Sequence, residues 1–199
     1  MISKRIFDIV VSFIGLILIS PLFIILIFVV ITESRGGALY KQVRVGQHNK
    51  DFKLLKFRSM FVDSDKQGLL TVGNRDSRIT KSGYFLRKYK FDELPQLINV
   101  LKGDMSFVGP RPEVRKYVDL YDDKQLKVLD VKPGITDYAS IKYADENSVL
   151  AEFDDPEKAY IEKVMPDKLS LNLKYVSSKI NIFQDVKLIL STLKAVVSK

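Results

Sequence analysis

The chain has no cysteine and a single histidine among its 199 residues. Without cysteine there can be no disulfide and no thiolate metal site, although that absence fits any compartment. The one histidine, His48, falls in the turn-like stretch Gly46-Gln47-His48-Asn49. It reads as a loop residue, and a Ser-His-Asp mechanism has no natural seat here. Internal repeats, low-complexity tracts and linkers are also missing, so residues 32–199 read as one modest domain with its own core.

Charge is absent from one stretch only, Ile9 to Ile31. Its length suits a membrane helix of about 20 residues, and Lys4 and Arg5 precede it. A signal anchor or a cleaved signal peptide is the common meaning of such a start. Ser20-Pro21 argues against both, because Pro21 falls near the middle of the run, removes a backbone hydrogen bond and disfavours helical geometry at Ser20. Each half, at roughly 17 Å, is too short to cross a core of about 30 Å. Two readings follow: a kinked spanning helix, or a re-entrant membrane helix over residues 1–31, broken at Ser20-Pro21, with both ends on one face.

The basic residues separate these readings. Between Thr32 and Lys102 there are 15 Lys or Arg against 7 Asp or Glu, whereas Gly103 to Lys199 has 15 against 16. The formal excess of +8 therefore sits beside the apolar segment. Basic juxtamembrane residues belong on the cytoplasmic side, where anionic lipid attracts them, and Lys4 and Arg5 ask for that same side. A re-entrant segment satisfies both flanks. The expected partner of the excess is membrane lipid, not nucleic acid.

Along the rest of the chain, Leu39 to Val45 and Phe52 to Phe57 read as a β-hairpin, with Lys56 and Arg58 on one face. Tyr84 to Lys90 reads as a short helix, and Glu113 to Asp130 as a longer one. Val131 to Thr136 reads as a turn with Lys132 at its mouth. Pro133 and Gly134 there expose backbone groups, and Lys132 can meet a phosphate, so the turn could seat a nucleotide or be mere punctuation. The apolar stripe Ile182-Phe183, Val186, Ile189-Leu190, Leu193 and Val196-Val197 has helical spacing and suits either core packing or the bilayer interface. The fold class expected is α+β and mostly helical: a re-entrant helix, a small hairpin and several interfacial amphipathic helices.

The chemistry concentrates in residues 86–113, LRKYKFDELPQLINVLKGDMSFVGPRPE. Pro95 is tolerated only in a helix's first turn, so the helix is expected to begin near Asp92 and to run to about Leu101, with Gly103 ending it. Asp92 and Glu93 would then sit at a positive helix end that eases their ionisation and attracts a phosphate. Arg87, Lys88 and Lys90 stand just upstream, and Arg111 is held between Pro110 and Pro112. A guanidinium on so fixed a backbone loses little entropy on clamping a phosphate. Taken singly, Asp-Glu at a helix start is ordinary capping and arginine between prolines is ordinary loop. Their co-occurrence within about thirty residues, beside a membrane segment, points to a nucleophile at a phosphate site.

With these residues in view, the chain resembles the small, single-domain monotopic phosphoglycosyl transferases among the bacterial sugar transferases. The matching pieces, in order, are Ser20-Pro21, Lys56-Phe57-Arg58-Ser59-Met60, Leu86-Arg87-Lys88, Asp92-Glu93-Leu94-Pro95-Gln96-Leu97, Gly109-Pro110-Arg111-Pro112-Glu113 and Lys132-Pro133-Gly134-Ile135-Thr136. The resemblance implies a cytoplasm-facing active site on the bacterial inner membrane, a Mg²⁺ requirement with Asp92 as a metal ligand, and a polyprenyl (undecaprenyl) phosphate acceptor. Asp92 would attack a UDP-sugar, release UMP and pass the phospho-sugar on, the first membrane step in assembling a capsule, O-antigen, exopolysaccharide or glycoprotein glycan. Glu93 would act as a base or help organise the metal. Lys56, Arg58, Arg87 and Arg111 would meet phosphate oxygens, and Lys132, Pro133 and Gly134 would lie near the uridine. A homo-oligomer is compatible with all of this.

Two positions depart from the family's pattern: Asp137 stands where a small residue is common, and Asn172 where an aspartate is common. The sugar is not readable. Two other classes remain open, a UDP-sugar-dependent glycosyltransferase that releases UDP and a non-catalytic membrane scaffold.

Overall fold

The computed structural model describes residues 2–68, 70–71, 76–178 and 181–197, without the side chains of 65, 67, 196 and 197. The first helix, α1 (Ile2–Glu33), is the most apolar part of the molecule, with a mean hydropathy of 3.2 over its best 18 residues, yet only 11% of that window is buried. Ile6, Phe13, Ile17, Leu18, Ile24, Ile25 and Phe28 all face outwards. An apolar helix that leaves most of its side chains outside the protein needs a lipid to cover them.

The break expected at Ser20-Pro21 falls within a continuous run of helical residues, with Pro21 inside the helix. Pro21 has no N–H to give the carbonyl of Ile17, four residues back. Ser20 Oγ takes its place, donating to Ile17 O at 2.8 Å. No water is available to a helix in lipid, so a carbonyl freed by proline must find such a neighbour.

The hairpin matches its expected place: β1 (Leu39–Val45) pairs antiparallel with β2 (Asp51–Phe57), in the register Leu39↔Phe57 and Arg44↔Phe52. His48 and Asn49, at φ 56° and 60°, make the connecting turn, so His48 is the loop residue expected. Leu26 and Val30 of α1 pack on Phe57 of β2 and on Leu86 of α2 (Lys81–Lys88). The rings of Phe23 and Phe57 lie 4.7 Å apart. Glu33, the last residue of α1, accepts from the backbone N–H and hydroxyl of Ser82 and so steadies the start of α2.

The Asp92-Glu93 pair sits on a 3₁₀ turn, Phe91–Glu93, and not in the first turn of the following helix as expected. Lys90, in the left-handed region at φ 58°, redirects the chain before the turn. Pro95 then precedes α3 (Gln96–Lys102), which ends at Gly103, φ 98°, as its glycine predicts. The helix expected over 113–130 is also divided, into α4 (Arg115–Val118) and a 3₁₀ stretch, Gln125–Asp130. Asp122 and Gln125 cap each other's backbone N–H groups there, a reciprocal box that starts a new helical turn instead of continuing the old one.

Two short strands escaped the sequence pattern. β3 (Ser106–Val108) runs parallel to β4 (Gly134–Thr136), so the expected turn over 131–136 is half strand. Their ends meet at Gly109 and Gly134, where a Cβ on Gly134 would fall 2.2 Å from the Gly109 nitrogen. Only glycine permits that approach. The remainder is helical: α5 (Tyr138–Lys142), α6 (Glu146–Ala151), α7 (Pro156–Ala159), a π-turn over 160–164, α8 (Met165–Ser177) and α9 (Ile182–Val197). A core of Tyr117, Val128, Leu150, Tyr160, Met165 and Leu169 joins α4, the 3₁₀ stretch, α6, the π-turn and α8. The expected apolar stripe of α9 lies largely outside the core, with Phe183, Val186, Leu190 and Leu193 exposed and Ile182 and Ile189 half-buried, whereas the buried apolar residue of this helix is Leu188, outside that stripe; the Val196 and Val197 side chains lie outside the described residues.

Candidate active site

Asp92 is the centre of the site. It is 5% exposed, and its Oδ1 has no hydrogen-bond partner among the described residues. It lines a cavity of 210 Å³ together with Lys56, Arg58 and Arg87, so four of the expected residues come together. Burial first, then the charge of Glu93, push the Asp92 carboxyl up, while Lys56, Arg87 and Lys90 oppose the rise. A carboxylate that holds its proton more tightly is a stronger nucleophile once ionised.

Glu93 is placed differently, although it is the next residue. Both terminal nitrogens of Arg111 donate to its carboxylate, the NH1 bond to Oε2 measuring 3.1 Å, and Lys56 Nζ stands 3.7 Å from Oε1. Burial alone would raise this carboxyl, but Arg111 and Lys56 hold it well below the usual carboxylate range. Such an arrangement suits an organising role and leaves Glu93 a poor base. Lys56 feels the same dry surroundings: burial pushes its ammonium down to about 8, with Glu93 opposing.

The elements that hold these groups are explicit. Asn99 of α3 accepts from Leu55 N at 2.9 Å and donates to Lys53 O at 2.8 Å, pairing with the edge of β2 as another strand would. That fixes Lys56 beside the Asp92 turn. Asp137, buried at the start of α5, accepts from Ser140 N at 2.6 Å and from the Arg111 backbone N–H at 3.2 Å. The departure from the family's pattern at Asp137 is thus a cap that fixes the Arg111 loop.

Other expected residues serve elsewhere. Arg58 lines the cavity but spends its guanidinium on Gly36 O and Gly37 O and over the ring of Tyr40, bracing the passage from α1 to β1. Arg87 donates to Thr71 Oγ1 at 3.0 Å. Lys132 turns away from Asp92 altogether: its ammonium sits against Gly103 with the Arg5 guanidinium, near Asp8 and Asp104. Gly134 is spent on the contact with Gly109, and Pro133 lines a second cavity.

That second cavity, of 170 Å³, lies on the other side of Arg111. It shares Arg44 and Thr71 with the cavity of Asp92, so the two adjoin. Arg44 was missed in the sequence, although Tyr40, Gln42 and Arg44 alternate along β1 as Lys56 and Arg58 do at the end of β2 and just past it. It donates to Glu113 Oε1 and to Pro112 O, both at 3.0 Å, which ties β1 to the Arg111 loop.

Among the described residues no three His, Cys, Asp or Glu side chains gather into a metal cage. Asp92 offers one unpartnered carboxylate oxygen. That fits Mg²⁺, which is commonly held by one or two carboxylates with the oxygens of a substrate phosphate.

Comparison with known proteins places this geometry. The family described as bacterial sugar transferase matches residues 1–199. An uncharacterised sugar transferase, EpsL, of Bacillus subtilis (strain 168) is 45% identical over 141 residues, which cover 71% of this chain and 69% of that protein. The UDP-glucose:undecaprenyl-phosphate glucose-1-phosphate transferase of Klebsiella pneumoniae is 39% identical over 196 residues, 96% of this chain and 39% of the relative. The UDP-N-acetylgalactosamine-undecaprenyl-phosphate N-acetylgalactosaminephosphotransferase of Aeromonas hydrophila is 40% identical over 159 residues, 76% of this chain and 38% of the relative. The matches thus span well under half of the last two proteins.

Proposed function

Because the chain belongs to the bacterial sugar transferase family across its whole length, we propose that it is a phosphoglycosyl transferase, moving a sugar 1-phosphate from a UDP-sugar to undecaprenyl phosphate and releasing UMP. Donor and acceptor are of the kinds named for the Klebsiella and Aeromonas relatives. The observation that carries the reading is Asp92, a buried carboxylate with a free oxygen in a cavity ringed by Lys56, Arg58 and Arg87.

In the first step an Asp92 oxygen attacks the β-phosphorus of the donor. The bond from that phosphorus to the bridging oxygen breaks, its electron pair leaves with UMP, and Asp92 holds the phospho-sugar as an acyl phosphate. In the second step an oxygen of undecaprenyl phosphate attacks the same phosphorus, and the Asp92 carboxylate departs. Both nucleophiles are already anions, so neither step needs a base. Each does need cations to cancel the repulsion between anions, which Lys56, Arg87 and Arg111 supply. Asp92 would hold Mg²⁺ through its unpartnered oxygen, and the ion would supply further charge neutralisation.

The same reading puts the site at the cytoplasmic face of the inner membrane. One domain holds α1 at both ends: Lys4 pairs with Asp185, Arg5 donates to Val100 O and Leu101 O, and Glu33 meets Ser82. A bilayer core of about 30 Å does not fit between two ends bound to one domain, so the helix enters and leaves through one face. The basic excess near it selects the cytoplasmic one.

The test is chemical. Purified full-length protein with Mg²⁺, undecaprenyl phosphate and a panel of UDP-sugars should release UMP, and donor alone should release up to one equivalent per enzyme while mass spectrometry finds the phospho-sugar on Asp92. Asp92→Asn should remove both signals without unfolding the protein. Release of UDP, or an adduct on another residue, overturns the proposal.

A further inference from the structure

The cavity beyond Arg111 is lined by a residue with a buried polar atom that the fold leaves unpaired. Asn172, on α8, is 4% exposed, and its Oδ1 has no hydrogen-bond partner among the described residues. It lines the cavity with Leu169 and Met165, one and two turns back along the same face of α8, and with Val128 and Leu129 across from them. Folding rarely leaves a buried amide oxygen unpaired, because the lost hydration is not recovered. Here the unpaired oxygen belongs to a cavity of mixed lining, apolar at Val128, Leu129, Met165 and Leu169 and polar at Glu146, Asn147 and Lys168, with two arginines, Arg44 and Arg111, on the side of Asp92.

The geometry points to this cavity as the seat of the donor's uracil, with Asn172 accepting a hydrogen bond from the N3–H of the base. The direction rests on the phosphoglycosyl transfer proposed above. A nucleophile and its leaving group lie in line on opposite sides of the phosphorus, so the UMP half of the donor points away from Asp92. Away from Asp92 and past Arg111 lies the cavity of Asn172, with Arg44 and Arg111 placed to hold the diphosphate between. The chemistry of the two partners also matches. Uracil presents one N–H between two carbonyls, and a primary amide presents an acceptor beside a donor. The flat faces of the base suit walls of leucine, valine and methionine.

The experiment measures equilibrium binding to the full-length protein in detergent or nanodiscs, with UMP, 3-methyl-UMP and ribose 5-phosphate as probes. The parent should bind UMP about tenfold or more tightly than 3-methyl-UMP, the discrimination expected where a buried group loses its partner. Asn172→Leu should weaken UMP by about the same factor and bring UMP and 3-methyl-UMP within about twofold of each other, because the interaction is then missing from both sides of the cycle. Ribose 5-phosphate, which has no base, should bind the two proteins alike. The leucine variant should melt no lower than the parent, since it replaces an unpaired polar group with an apolar one of similar volume. Should it fail to fold, Asn172→Asp, the same shape and still an acceptor, should keep the discrimination against 3-methyl-UMP.

Equal UMP affinity in parent and leucine variant overturns the inference. So does a loss that falls equally on ribose 5-phosphate, or one seen with UDP-sugars and not with UMP, which would put Asn172 against the sugar. None of these readings requires turnover. A protein that released UDP would defeat the proposed reaction and leave the uracil site standing.

Discussion

Arg111 grips Glu93 with both terminal nitrogens of its guanidinium, and this pair, more than the adjacent Asp92, is what the sequence around residue 93 is built to make. Neither partner can be removed without leaving the other charged in a mostly buried place. Glu93→Gln should therefore destabilise the protein by up to about 3 kcal/mol, the low end for a broken buried pair because Arg111 keeps some contact with solvent. The kcat/KM with a UDP-sugar should fall about a hundredfold, mostly through KM, as the arginine loses its position. Adding Arg111→Met should restore stability and not activity. Denaturant melts and steady-state kinetics on the three variants check both halves.

Lys56 sets the alkaline limit. With burial pushing its ammonium down to about 8, the group is charged below that pH and neutral above it, so the cavity loses a cation as pH rises through 8. The kcat/KM should fall there, and Lys56→Arg, whose guanidinium stays charged, should carry the limb to higher pH. On the acid side the raised Asp92 carboxyl should end activity at a higher pH than an ordinary aspartate would. The pH profiles of parent and Lys56→Arg test both limbs.

Asn99 holds β2 against α3, and its loss should be felt in both stability and rate. Asn99→Ala leaves the buried N–H of Leu55 and the carbonyl of Lys53 without partners. The expected destabilisation is about 1–3 kcal/mol by chemical denaturation. Activity should drop with it, because Lys56 is the next residue along the strand. A fully stable variant would show that the strand edge finds other partners.

The membrane helix gives a topological prediction. A single cysteine at Ser3 should react with impermeant reagents applied from the cytoplasmic side, because the adjacent Lys4 is bound to the same domain as the far end of α1. Labelling from the opposite side would show a spanning helix. Replacing both Ser20 and Pro21 with leucine removes the missing N–H and the hydroxyl that answers it, and should shift part of the population to the spanning form.

Much of the site was legible because its signals are local. An acidic pair just ahead of a proline at 95, with a glycine at 103, places a turn and a short helix wherever the rest of the chain goes, and the hairpin follows from alternation around a glycine turn. Asp122 and Gln125 carried the capping signal that divides the helix expected over 113–130, and it could have been read. What was not legible depends on distant partners. Three-residue strands are too short to show a period, so β3 and β4 appear only when Gly109 meets Gly134. Nothing near Lys132 says that its side chain leaves the nucleophile for Arg5 and Gly103. Asn99, Asp137 and Asn172 look like any polar residues until the strand, the loop and the cavity beside them exist.

The pairing of Lys4 with Asp185 has a consequence for the order in which the chain is made. The two residues are 181 positions apart, so a ribosome delivers the lysine 181 residues before the aspartate. Over that interval the membrane helix must wait without its carboxylate partner. The Tyr175 hydroxyl that also bonds the aspartate comes with α8, and the aspartate itself arrives only as α9 emerges. A chain that stops short of α9 keeps every residue around Asp92 but never acquires the clasp that closes its membrane helix onto the domain.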